Sequence, residues 1–83
     1  MKEKKTRFIG IDLGKRTYVM AVVGKNGKVV MSNGVTSPEG RQKLYKKLQS
    51  TDKIALEAGT LAFIIAKELD AAVGCKVYVL NPY

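Results

Sequence analysis

Histidine is absent from this 83-residue chain, and with it go the commonest general base and any imidazole ligation of a metal. Cysteine occurs once, at Cys75, so no internal disulfide can form and no cysteine–histidine cluster can hold zinc. Long apolar runs are missing as well: none approaches the ~20 residues that a membrane-crossing helix needs. The amino-terminal MKEKKTR is basic, but the apolar run behind it is short and contains Asp12, so it does not read as a signal peptide. The expected location is the cytoplasm. These absences leave its chemistry to carboxylates, lysines, hydroxyls or a bound metal.

Acids are scarce. Seven Asp and Glu stand against 15 Lys and Arg, a net charge of +8. Residues 1–53 hold 13 of the bases and 4 of the acids, so the surplus lies in the first two-thirds of the chain. That bias fits a polyanionic partner such as DNA or RNA, and it equally fits a solvated basic surface. Hydrophobic residues make up 46% of the sequence, an ordinary content for a folded chain. The length allows one small domain with a modest core.

Residues 1–6 read as a disordered basic leader. The apolar run FIGIDL predicts a strand at 7–13, and its near-continuous apolarity suits burial on both faces. A Gly-Lys-Arg turn follows, and β-branched and aromatic content predicts a second strand at 17–23. Asn26-Gly27 between two such runs is a strong hairpin signal, leading to a third strand at 28–33. Ser37-Pro38-Glu39 has the cap, first-turn proline and acid of a helix start. The narrow apolar stripe of Leu44, Tyr45 and Leu48 gives that helix one buried side. A fourth strand is predicted at 52–57. A second helix follows at 61–73, with Gly74 as its cap, and ten of its thirteen residues are apolar, so it should be the more buried of the two. A fifth strand at 76–80 ends before Asn81-Pro82.

The order βββαβαβ defines an α/β fold. An antiparallel meander followed by two right-handed crossovers gives a mixed five-stranded sheet of order 3-2-1-4-5. Both crossovers run the same way, so both helices should cover one face of the sheet and leave the other bare. Two acids then draw attention. Asp12 and Glu57 each end an apolar strand, each has a small residue two positions earlier (Gly10, Ala55), and each is soon followed by glycine. On parallel neighbouring strands they would sit side by side. Adjacent carboxylates repel unless a cation neutralises them, and oxygen-only ligation suits Mg²⁺ or Mn²⁺. The ordinary alternatives are a hydrogen bond from Asp12 to the 14–17 turn, and a helix cap or a Lys15 ion pair for Glu57.

Ile9-Gly10-Ile11-Asp12-Leu13-Gly14-Lys15-Arg16-Thr17 resembles the opening motif of bacterial insertion-sequence transposases of the DEDD, RuvC-like type related to the Piv invertase. Leu56-Glu57-Ala58-Gly59 resembles that family's second acidic motif and Val79-Leu80-Asn81-Pro82 the stretch after its fifth strand, so the likeness spans residues 8–82. Ala58-Gly59-Thr60 departs from the commoner Ala-Thr-Gly order. The resemblance implies a ribonuclease H-like domain over 7–83, truncated before its carboxy-terminal helix. It further implies a Mg²⁺-dependent DNA recombinase whose four acids form the metal site. Asp12 and Glu57 would be the first two, catalytic and metal-binding, with the others beyond this chain. DNA, and by family likeness a guide RNA, would be partners, contacted through Lys15, Arg16, Arg41, Lys43, Lys46 and Lys47. Such a fragment would be inactive alone.

Two other readings compete. Actin/heat-shock-chaperone-type ATPases share this fold and an Ile-Asp-Leu-Gly opening, although small hydroxylated residues usually stand where Lys15-Arg16 are found here. A non-catalytic module is the third reading: the bare sheet face would be covered by a second copy, as a homodimer, or by missing carboxy-terminal sequence.

Overall fold

Alternating apolar and small residues, broken by short polar turns, build five strands and two helices. The computed structural model describes residues 6–24 and 26–81. The strands are β1 (Phe8–Leu13), β2 (Thr17–Val23), β3 (Val29–Val35), β4 (Lys53–Glu57) and β5 (Lys76–Leu80). The helices are α1 (Pro38–Lys46) and α2 (Thr60–Ala72). All seven expected elements form in the expected order, and their ends fall within about two residues of the predicted ones. Most of the expected basic leader, residues 1–5, lies outside the described residues, as does Pro82. No helix among the described residues is long and apolar enough to cross a membrane.

The sheet is mixed, with strand order β3-β2-β1-β4-β5. Tight turns make the meander. Gly14 N–H donates to the Thr17 carbonyl at 2.8 Å between β1 and β2. In the β2–β3 connection Gly27 takes φ +80°, the left-handed region that a side chain resists, and Asn26 Oδ1 accepts from Lys28 N–H at 3.0 Å. β1 then pairs in parallel with β4, and β4 with β5. Each crossover contains one helix, and both helices lie on the same face.

Strand periodicity decides what is buried. Ile9 and Ile11 of β1, Tyr18 and Met20 of β2, and Ile54 and Leu56 of β4 point toward the helices. There they meet Leu44, Tyr45 and Leu48 from the first helical segment and Ala62, Ile65 and Leu69 from α2 in a single cluster. The alternate residues face outward: Phe8 is 55% exposed and Met31 59%. The expectation that β1 would be buried on both faces is therefore corrected, because both helices cross on one side. The expectation that α2 would be the more buried helix fails for the same reason. A helix on a one-sided core hides only a stripe, so Phe63 and Ile64 stay exposed.

An ion-paired cluster joins the two helices. Arg41 Nε donates to Glu68 Oε1 at 2.8 Å, its other nitrogens reach Glu68 Oε2 and the Thr36 carbonyl, and Tyr45 Oη donates to Glu68 at 2.5 Å. These donors hold the Glu68 carboxyl below its ordinary value of 4.5, with Arg41 the larger influence. Burial, reinforced by Glu68, pushes the Tyr45 phenol up. A depressed folded-state value means stability that is present above pH 4.5 and lost as the pH falls through the folded value. Glu68→Gln should remove that component. Thermal melts at pH 7 and pH 3 should show a larger acid-induced loss in the wild type than in the variant, by about 1 kcal/mol or less at this partly exposed site. Equal losses would remove Glu68 from the acid response.

Candidate functional site

The β1–β4 pairing runs Phe8 to Lys53, Ile9 to Ile54, Gly10 to Ala55 and Ile11 to Leu56. Asp12 and Glu57 come one step later on each strand, and parallel strands lie about 4.8 Å apart. The two acids therefore start abreast at the carboxyl edge of the sheet, on the bare face. Both are exposed. Asp12 is thus not a costly buried charge, which corrects the expectation drawn from its apolar strand: the uncovered face leaves it in water.

Asp12 and Glu57 line a polar cleft of about 340 Å³ with Gly14 from the β1–β2 turn and Gly59 and Thr60 from the start of α2. They also close one end of a shallower, mostly apolar furrow of about 510 Å³ floored by Gly10 and Ala55. The cleft has the chemistry. α2 is thirteen residues long, begins without a side-chain cap and carries no acid in its first turn. The N–H groups of that turn have no intrahelical acceptor, as at any helix start, and the helix dipole makes this end positive. None of the three ordinary roles is taken up among the described residues: Asp12 makes no side-chain hydrogen bond to the 14–17 turn, α2 has no side-chain cap, and Lys15 forms no ion pair with Glu57.

The β1–β2 turn is held in place from behind. Thr36, buried between β3 and α1, donates its N–H to the Arg16 carbonyl at 2.9 Å and its hydroxyl to the Lys15 carbonyl at 3.4 Å. Thr36 escaped the sequence reading because its partners lie 20 and 21 positions away. Lys15 and Arg16 themselves are exposed, on the turn that borders the cleft.

The structure does not gather the other basic residues here. Arg41 is engaged by Glu68, so it is no free cation for a polyanion. Lys43 and Lys46 of α1 and Lys47 just after it are exposed. The Lys47 carbonyl accepts from Arg7 at 3.1 Å, which places that end of α1 at the opposite, amino-terminal edge of β1. No third histidine, cysteine or acid joins Asp12 and Glu57 among the described residues.

No protein-family model matches the chain, and no curated protein matches it. Among solved structures, the chain is similar to the Aquifex aeolicus Ppx/GppA phosphatase in its type II variant, with a TM-score of 0.53 and 16% identity over 93% of this chain. A second structure of the Aquifex aeolicus family member gives 0.52 and 15% over 95%. The chain spans about a third of those proteins, 36% of each. At this identity the likeness is one of fold alone.

These neighbours overturn the transposase resemblance. They are phosphatases, and nothing in the comparisons supports transposition, DNA recombination or DNA binding. The reason lies in the motif. The Ile-Asp-Leu-Gly opening resembles that of both the transposases and the actin/heat-shock-chaperone-type ATPases, so the motif alone does not choose a reaction.

Proposed function

We propose that this chain is the phosphate- and cation-binding portion of a phosphohydrolase of the actin/heat-shock-chaperone type, built on the ribonuclease H-like plan. The observation that carries the reading is the polar cleft where Asp12, Glu57, the Gly14 turn and the first turn of α2 converge. A phosphoryl group needs donors and positive charge. The uncapped N-terminus of α2 supplies N–H groups and the positive end of a dipole. Lys15 and Arg16 add charge from the adjoining turn, in place of the hydroxylated residues usual in such ATPases.

The acids suit a divalent cation. Mg²⁺ keeps several waters and is commonly held by one or two carboxylates together with substrate phosphates, and Asp12 and Glu57 provide those two carboxylates. A cation there would neutralise phosphate oxygens and polarise the group to be transferred. Asp12 and Glu57 would orient it, while Lys15 and the α2 N–H groups bind the phosphate. Because the chain spans a third of its structural neighbours, the site is proposed as one wall of a larger one.

Titration calorimetry with ATP and with pyrophosphate, each with and without Mg²⁺, tests the reading. Mg²⁺-dependent binding of both is expected, weakened about tenfold, equivalent to 1.4 kcal/mol, by Asp12→Asn or Lys15→Ala. Binding that ignores Mg²⁺, or that survives both substitutions unchanged, would sink it.

A further inference from the structure

The outward face of the sheet is ordered by charge as well as by shape. The registers place its residues in rows across the strands. One row, at the amino-terminal edge of β1, holds Phe8, Lys53 and Lys76. The next holds Met31, Ala21, Gly10, Ala55 and Tyr78. The row at the carboxyl edge holds Asp12, Glu57 and Leu80. Bases thus stand at one end and acids at the other, with a small-residue floor between them. A Cβ built on Gly10 would meet no atom within 4 Å, so the floor is open. Met31, Tyr78 and Leu80 rise beside it, exposed and apolar. The two lysines lie along the face rather than away from it: Lys53 Nζ sits 5.7 Å from the Phe8 ring centre and Lys76 Nζ 5.6 Å from that of Tyr78.

We propose that a second copy of this chain packs face to face on this surface, strands antiparallel, with Lys53 of each copy against Glu57 of the other. The pattern is self-complementary only in that orientation. A two-fold axis perpendicular to the strands lays β4 over β4 in reverse and sets each basic end on an acidic end. An axis parallel to the strands would set Lys53 on Lys53 and Glu57 on Glu57, and like charges in contact disfavour it. The Gly10–Ala55 floor lets the flanking side chains of the opposite copy enter, as in other packed sheets with a layer about 10 Å thick. The dimer also accounts for the apolar outward residues Phe8, Val19, Met31 and Leu80, which one copy leaves in water. This interface shares Asp12 and Glu57 with the proposed phosphate site, so a cation and the second copy's Lys53 compete for the same carboxylates. Association is therefore measured with a chelator present.

Sedimentation of the wild-type chain at micromolar concentration should show a dimer. Lys53→Glu with Lys76→Glu makes the charged positions of the face all acidic, and Asp12→Lys with Glu57→Lys makes them all basic. Each double variant should associate about a hundredfold more weakly or worse, while a mixture of the two should regain the dimer as a heterodimer. A carbodiimide on the unmutated chain supplies a measurement that needs no variant. Lys53 and Glu57 of one copy are four strand residues apart, about 13 Å, beyond a zero-length bond, so a Lys53–Glu57 cross-link reports contact between copies. A monomeric wild type, double variants that dimerise like it, a mixture that stays monomeric, or absence of that cross-link would overturn the proposal.

Discussion

Replacing Gly40 by alanine should destabilise the chain by about 3 kcal/mol and lower its Tm by roughly 12–24 °C. Local reasoning gives the opposite sign. Gly40 lies in the first turn of α1, and glycine in a helix is about 1 kcal/mol worse than alanine. The tertiary structure reverses this, because α1 starts hard against the end of β3. A Cβ on Gly40 would collide with the Val35 carbonyl oxygen and lie 2.6 Å from Val35 Cγ2. The first of these is backbone, so no rotamer change relieves it. Either α1 moves away from the sheet or β3 gives up its last pairing, Val35 with Thr17. Thr36 would shift with either movement, and with it the anchoring of the Lys15–Arg16 turn. Thermal and urea denaturation followed by circular dichroism decide the matter. An unchanged or raised Tm would show that the approach of α1 to β3 is looser than described.

The second large effect is expected at Asp52. Asp52→Ala should cost about 3 kcal/mol, toward the low end for breaking a buried ion pair. Asp52 is 1% exposed, just before β4. Its carboxylate accepts from Arg7 Nε at 2.9 Å and from the Arg7 terminal nitrogen at 2.8 Å, and from Gln49 N–H at 2.7 Å. One side chain thus closes the turn after α1 and ties it to Arg7, the residue just before β1. Removing it strands a guanidinium and an amide N–H together. The Arg7 side chain keeps 28% exposure, so water recovers part of the loss, which sets the low end of the range. Asp52→Asn retains an acceptor for Gln49 and should lose only part of the stability. A double-mutant cycle with Arg7→Met isolates the pair's coupling. A change within about 0.5 kcal/mol for Asp52→Ala, as at an ordinary surface position, would refute the assignment.

Both residues show where sequence reading ends. In the sequence Asp52 was no more than the first residue of a predicted strand, and its partner Arg7 lies 45 positions earlier. Arg41 looked like one of several cations on a solvated helix, and Glu68, which engages it, lies 27 positions later. Asp12 and Glu57 were legible as a pair because strand period and crossover handedness place them abreast whatever surrounds them. Their exposure was not legible, because it depends on whether their side chains point to the helix-covered face or to the open one, which the packing of Ile9, Ile11, Ile54 and Leu56 against the helices decides. The family likeness failed where its evidence was thinnest: a short motif at the end of a first strand is shared by proteins of different chemistry.

By itself, the sequence determined the order of seven elements, the strand order 3-2-1-4-5, the placement of both helices on one face and the meeting of Asp12 with Glu57. Each of these follows from interactions between near neighbours, from turn chemistry, or from the handedness of a crossover, all of which are written locally. The tertiary structure decided that the two acids stand in water beside an uncapped helix start, that Asp52 is buried and that Gly40 admits no side chain. These depend on distances between residues far apart in the chain, and such distances exist only once the sheet has closed around its core.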